Sequence, residues 1–206
     1  LNWNTLNLGT IANLNGIYFT SALTGYISAG SGDVYKTTNA GVNWIVQPTG
    51  LATPLNSICF TDINNGFAGG FQGKMVKTTN GGVNWSILTT GITQLINKVH
   101  AIDPQNIYAV TDNSRFISTS NGGVNWSVSI LSEANNNSLK SVFFTDINTG
   151  FINGAYGTQL KTTNGGINWT PGFAGTNTTG FSISFPSANT GYVGLYIGKL
   201  LKTTNA

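Results

Sequence analysis

Lys77-Thr78-Thr79-Asn80-Gly81-Gly82-Val83-Asn84-Trp85 decides the fold, because the stretch does not stand alone. It returns as Lys36 to Trp44, as Ser118 to Trp126 and as Lys161 to Trp169, and a further copy starts at Lys202 and stops at Ala206. The starts are separated by 41, 41, 43 and 41 residues. A fixed period of this size marks a chain made of repeated supersecondary units, each needing its neighbours to bury a core. The rest of the last copy stands at the other end of the chain, where Leu1-Asn2-Trp3 matches Val42-Asn43-Trp44, 41 residues on. Trp3, Trp44, Trp85, Trp126 and Trp169, all the tryptophans of the chain, therefore share one repeat position.

Each unit has an upstream half as well. Ile17 to Ser21, Ile58 to Asp62, Val99 to Asp103, Val142 to Asp146 and Ile183 to Ser187 are equivalent, and Gly25-Tyr26, Gly66-Phe67, Ile107-Tyr108, Gly150-Phe151 and Gly191-Tyr192 follow them. Every unit reads as four short runs rich in β-branched and aromatic residues, separated by Gly, Asn and Asp turns. No stretch sustains a capped helical period. Four strands per unit at this spacing predict an all-β, five-bladed β-propeller with four antiparallel strands per blade. The blades are expected at residues 12–49, 53–90, 94–131, 137–172, and 178–206 plus 1–8, within a single domain covering 1–206. Residues 1–8 would supply the outer strand of the last blade, closing the ring and removing its open edge.

Written as Thr78-x-Asn80-x-Gly82-x-Asn84-Trp85, the turn resembles the Asp-box, or BNR, repeat, whose usual pattern is Ser-x-Asp-x-Gly-x-Thr-Trp. The whole unit is similar to the photosystem II assembly-factor type of BNR propeller and to related repeats of secreted bacterial surface proteins. The resemblance implies that the box is a folding device at the turn between third and fourth strands. Its short side chain (Asn39, Asn80, Asn121, Asn164 or Asn205) would bond back to the turn, with glycine supplying positive φ and the tryptophan plugging the core between blades. Asn in place of Asp keeps the acceptor and drops the charge, which disfavours calcium.

The composition removes several functions. Only 7% of residues are charged, while 27 Asn and 28 Thr supply polarity, so the surface is one of amides and hydroxyls. No apolar run is long enough for a membrane-spanning helix. One cysteine, Cys59, and one histidine, His100, exclude a disulfide framework and a Cys/His zinc site, and no cofactor or metal is expected. A net charge of +3 is too small for a nucleic-acid footprint, and Lys36, Lys77, Lys161 and Lys202 share one repeat position as an expected solvated girdle. BNR propellers include glycosidases, but hydrolysis needs two facing carboxylates. With Asp62, Asp103 and Asp146 assigned to turns, only Asp33, Asp112 and Glu133 remain. His100 sits where other units carry Tyr18, Cys59, Phe143 and Ser184, and is expected to be a satisfied core imidazole.

Positions that differ between blades are free to serve a partner. These cluster at the turns between second and third strands (the B–C turns) and in the loops between blades (the D–A loops), on the face opposite the boxes. The candidate binding residues there are Phe71, Lys74, Asp112, Arg115, Tyr156, Tyr196 and Lys199, which combine aromatic faces with cationic and amide donors. The third unit departs furthest: Ser118 replaces the box lysine, Ser114 replaces a turn glycine, and two residues are inserted within 127–138. A site centred on the second to fourth blades is therefore expected. The functional expectation is a non-enzymatic recognition or scaffolding module for a protein partner or adhesion, part of a larger exported bacterial protein at the cell surface. The alternatives are a carbohydrate-binding propeller, requiring exposed rings at Phe71, Tyr156 and Tyr196, and a residual glycosidase.

Overall fold

The computed structural model describes residues 4–172 and 175–206. These fold into five antiparallel sheets whose strands follow chain order. The first sheet holds β1 (Leu14–Phe19), β2 (Gly25–Ala29), β3 (Val34–Thr37) and β4 (Ile45–Gln47). The second holds β5 (Leu55–Phe60), β6 (Gly66–Gly70), β7 (Met75–Thr78) and β8 (Ser86–Leu88). The third holds β9 (Ile96–Ala101), β10 (Ile107–Thr111), β11 (Arg115–Thr119) and β12 (Ser127–Ile130). The fourth holds β13 (Leu139–Phe144), β14 (Gly150–Gly154), β15 (Gln159–Thr162) and β16 (Thr170–Pro171). The fifth holds β17 (Gly180–Ser184), β18 (Gly191–Leu195) and β19 (Leu200–Thr203).

Neighbouring sheets meet along their first strands, β1 against β5, β5 against β9, β9 against β13 and β13 against β17. The second strand of a sheet is thereby covered on both faces. Its residues are buried throughout in β2, β6, β10 and β14, which explains why these runs are apolar or small rather than alternating. The core lies between sheets, not within one. Tyr26, Val34, Leu55, Ile58, Phe60, Ala68 and Val76 form one such layer between the first and second sheets. Tyr26 stacks on Phe60 with centroids 3.9 Å apart, and Tyr108 on Phe144 and Phe151 on Phe185 repeat the pair at 3.7 and 4.2 Å. Gly66 has no alternative here, since a Cβ would stand 2.5 Å from the Phe60 ring.

Every first strand begins with a β-bulge. The pairing skips Asn15, Asn56, Asn97, Lys140 and Phe181 in the five sheets. An extra residue in one strand bends it and re-aims a side chain. Three of the five skipped residues are asparagines, and their amides are thrown toward the loop face.

The expected fourth strand of the fifth sheet does not form among the described residues: that sheet has three strands, and residues 4–13 contain none. Trp3, expected to begin it, lies outside the described residues. Local hydrogen bonds take the place of a ladder, for Asn7 Oδ1 accepts the Gly9 N–H at 2.8 Å and Thr10 Oγ1 accepts that of Ala12 at 3.0 Å. Among the described residues no sheet packs on the outer side of β1, and Ile17 is 64% exposed where the equivalent Ile58 of β5 is 3% exposed.

Candidate functional site

The box geometry is uniform and entirely local. Thr78 Oγ1 accepts the N–H of Gly82 at 2.8 Å, and Asn80 Oδ1 accepts the N–H of Asn84 at 2.9 Å and the Thr78 hydroxyl at 3.0 Å. Thr37 with Asn39, Thr119 with Asn121 and Thr162 with Asn164 repeat the pattern, and Thr203 donates to Asn205 at 3.1 Å. The amide oxygen is consumed by the backbone, leaving little for a ligand. Three tryptophans set their edges against a ring of their own sheet: Trp44 on Phe19, Trp85 on Phe60 and Trp169 on Phe144, at interplanar angles of 87°, 84° and 88°.

Of the lysines before the boxes, Lys36 and Lys77 are held between sheets rather than in a solvated girdle, while Lys202 is exposed. Lys36 Nζ donates to the Gly81 carbonyl of the next box at 2.6 Å and stands 5.5 Å from the Tyr26 ring centre. Lys77 repeats this toward Gly122 at 3.0 Å, over Phe67 at 5.5 Å. Lys161 and Lys202 lie over Phe151 and Tyr192 at 5.7 and 5.9 Å. The physical reason is proximity between sheets: box n+1 brings a bare carbonyl above the strand that carries lysine n, and the aromatic face beneath holds the ammonium.

On the opposite face, Phe71, Tyr156 and Tyr196 occupy equivalent short 3-10 turns, Phe71–Gly73, Ala155–Gly157 and Tyr196–Gly198. All three rings are open to solvent, at 47%, 75% and 61%. They are not gathered into one site. Tyr196 leans on Phe181 with centroids 6.2 Å apart, and Phe71 lines a groove between the first and second sheets. Lys74 and Lys199 are exposed at the ends of their turns, and Arg115 is half-buried. Asp112 makes no ion pair with Arg115. Its carboxylate accepts from Asn97 at 2.9 Å and from the Ser138 hydroxyl, and meets Lys140 Nζ at 3.7 Å. Burial pushes the Asp112 pKa up, but the hydrogen bonds from Ser138 and Asn97 and the Lys140 charge outweigh it and leave the carboxyl below its usual range.

The departures of the third sheet partly explain one another. At the turn glycine position, a Cβ on Gly73 would lie 2.2 Å from the Ile92 carbonyl oxygen of the following loop. Ser114 takes that position with φ +55°, and its N–H and hydroxyl both donate to the Asn137 carbonyl, at 2.9 and 3.1 Å. Asn137 lies in the loop that the two-residue insertion lengthens, so the insertion makes room for the side chain.

The groove that holds Phe71 has a volume of about 690 Å³. Thr10–Asn13, Asn15, Gly30, Ser31, Pro54, Asn56 and Leu95 complete it. It spans the first and second sheets and the edge of the third, one blade earlier than the expected centre. Asn15 Nδ2 donates to the Leu55 carbonyl at 3.0 Å, which fixes one bulge amide. Asn56, at the next bulge, makes no side-chain hydrogen bond among the described residues. Asn15 and Asn56 were missing from the sequence-derived candidates; their signal was an Asn recurring at one position, Asn15, Asn56 and Asn97. Neither this groove nor the cavities between the third and fourth and the fourth and fifth sheets carries a carboxylate among the described lining residues.

The family model described as Photosynthesis system II assembly factor YCF48 matches residues 1–135 and 80–172. The chain belongs to this family. Among solved structures, YCF48 from Cyanidioschyzon merolae is similar with a TM-score of 0.69 and 16% identity, over 87% of this chain and 66% of that one. A structure titled "YCF48 bound to D1 peptide" aligns at a TM-score of 0.55 and 16% identity, over 100% of this chain and 99% of that one. A GH74 enzyme from Niastella koreensis aligns at 0.75 and 17% identity, over 93% of this chain and 37% of that one. At such identities the likeness is one of fold, a BNR-type β-propeller. Comparison with curated proteins finds no significant match. Membership of a photosystem assembly-factor family overturns the expectation of a bacterial cell-surface protein, which rested on low charge and Asn/Thr richness. Amide-rich, weakly charged surfaces are not peculiar to that location. No helix among the described residues is long and apolar enough to cross a membrane.

Proposed function

We propose that the chain is a non-enzymatic protein-recognition module that holds an extended segment of a partner on the face formed by the B–C turns and D–A loops. The observation that carries this reading is the groove of about 690 Å³ in which the exposed Phe71 ring stands among the amides of Asn13, Asn15 and Asn56. Amides can exchange hydrogen bonds with an extended backbone, and an exposed ring supplies an apolar anchor at small entropic cost. The family supports a protein partner, as does the relative whose title names a D1 peptide. Phe71, Lys74, Asp112, Arg115, Tyr156, Tyr196 and Lys199 remain the variable residues of this face. Within it we place Phe71 in contact with the partner and Asp112 in an internal network.

Residues 1–206 serve as one module in this reading, with blades at the boundaries set out above and residues 1–8 completing the fifth. Leu6 supports that closure. Its Cδ1 lies 3.7 Å from where a Cβ would stand on Gly41, the relation that Leu88 of the second sheet has to Gly123 of the third. A cavity of about 500 Å³ between the fourth and fifth sheets, lined by Phe151, Leu160, Phe185, Val193 and Leu201, has the setting that receives a box tryptophan in other sheets. Trp3 is the residue of that repeat position left to fill it.

Titration with the D1 peptide of the solved complex tests the function. Phe71→Ala is expected to weaken binding at least about tenfold, roughly 1.4 kcal/mol, with an unchanged circular dichroism spectrum because the ring is on the surface. Equal binding by the variant contradicts the assignment. The three exposed rings favour a second reading, a carbohydrate-binding surface, for which the expected result is glycan binding lost on Tyr156→Ala.

A further inference from the structure

Four of the five repeats place a lysine before the box, and the third has Ser118 there. The surroundings of the missing lysine are nonetheless kept. Ser118 is paired across the sheet with Tyr108, as Lys36 is with Tyr26 and Lys77 with Phe67. The next box presents Gly165 where the earlier ones present Gly81 and Gly122. Those two carbonyls accept Lys36 and Lys77; the Gly165 carbonyl accepts no hydrogen bond among the described residues. Between them lies a cavity of about 370 Å³, lined by Tyr108, Ser118, Trp126, Asn148, Asn164 and Gly165, among others. A four-carbon side chain and its ammonium have been replaced by open space.

We propose that this cavity is a binding site for the ammonium group of a lysine side chain carried by a protein partner. The ammonium would donate to the Gly165 carbonyl and stand over the Tyr108 ring, as the chain's own lysines do in the sheets before it. Trp126 and Ile147 would flank the methylene stem, and the side-chain amide of Asn148 offers a further acceptor. The electrostatics favour a cation. Burial is the main cause that pushes the Tyr108 hydroxyl up to about 12, and the carboxylates of Asp103 and Asp146, in the turns to either side, add to it. Both carboxylates are fixed by their own turns: Asp103 accepts the N–H groups of Gln105 and Asn106, and Asp146 those of Asn148 and Thr149. The site lies on the box-bearing face, away from the groove of Phe71, so either can fail without the other.

The test is a nuclear magnetic resonance titration of the intact chain with acetyl-lysine amide, following the Trp126 indole and the Gly165 and Ser118 amides. Saturable shifts with a Kd in the millimolar range, about 1–10 mM, are expected for one cation–π contact and one or two hydrogen bonds. Acetyl-norleucine amide, with the same stem and no charge, should leave the signals in place. Ser118→Lys fills the cavity from within and should abolish the response. Lys77→Ser, which opens the equivalent space between the second and third sheets, should create a second site reported by the Trp85 indole and Gly122. No response in the folded wild-type chain overturns the proposal, as does equal response to norleucine or undiminished binding by a folded Ser118→Lys. Should that variant fail to fold, a Lys77→Ser chain with no second site overturns it instead.

Discussion

Trp169→Ala is expected to destabilise the protein by about 3–5 kcal/mol and to lower Tm by roughly 6–20 °C in a thermal scan, the usual range for emptying a large aromatic site in a domain of this size. Trp169 is 5% exposed and lies between two sheets, 5.1 Å from Phe116 of the third and 6.0 Å from Phe144 of the fourth, centroid to centroid. It belongs to the buried cluster that also holds Tyr108, Phe116, Phe144 and Leu160, so its loss leaves a void among side chains fixed by paired strands. Trp169→Phe should cost clearly less than the alanine. Part of the ring contact survives, and the buried indole N–H, which has no partner at Trp44, Trp85, Trp126 or Trp169 among the described residues, is removed without leaving an orphan. A phenylalanine variant as damaged as the alanine one would show that the indole donor has a partner the packing does not reveal.

A second large effect comes from acid. His100 is half-buried against Phe143, with ring centroids 4.7 Å apart, and its Nε2 is 3.1 Å from the Phe144 carbonyl. Burial, helped by the Lys98 charge and opposed by the Phe144 hydrogen bond, pulls its pKa from 6.5 down to about 4. The folded imidazole is therefore neutral over a range in which the unfolded one takes up a proton. Stability from this residue is complete above pH 6.5 and is lost as pH falls toward 4, by about 3 kcal/mol at most. Denaturation at a series of pH values should show that slope, and His100→Phe, the residue of the equivalent position 143, should flatten it between those limits. An unchanged slope in the variant would place the acid sensitivity elsewhere. The carboxylates Asp62 and Asp146, held low by hydrogen bonds from Asn65 and from Asn148 and Thr149, weaken the fold only at lower pH still.

Legibility in the sequence followed the range of each interaction. Strands were readable because each is a local run of β-branched and aromatic residues, and the run from Met75 to Thr78 falls within the sequence-derived boundaries. The hydrogen bonds of the box were readable for the same reason, since Thr78, Asn80, Gly82 and Asn84 are near neighbours. Lys36 shows the opposite case. Its acceptor, Gly81, is 45 residues away, and only the packing of one sheet on the next reveals that the lysine bonds there rather than facing water. Asp112 likewise meets Lys140, not the Arg115 three residues away in sequence, because the bulge at Lys140 brings that side chain to the loop face. Closure was the hardest inference, as it depends on two chain ends and on how far each sheet is rotated from the last. Residues 4–13 fold into their own turns instead of a ladder.

The most direct measurement is hydrogen–deuterium exchange with and without the D1 peptide of the solved complex. Protection of amides at residues 13–15, 55–57 and 70–72, with the boxes unchanged, is what a partner strand laid into the Phe71 groove would produce. Exchange left unaltered in all three segments while the peptide is bound would contradict a recognition surface on that face.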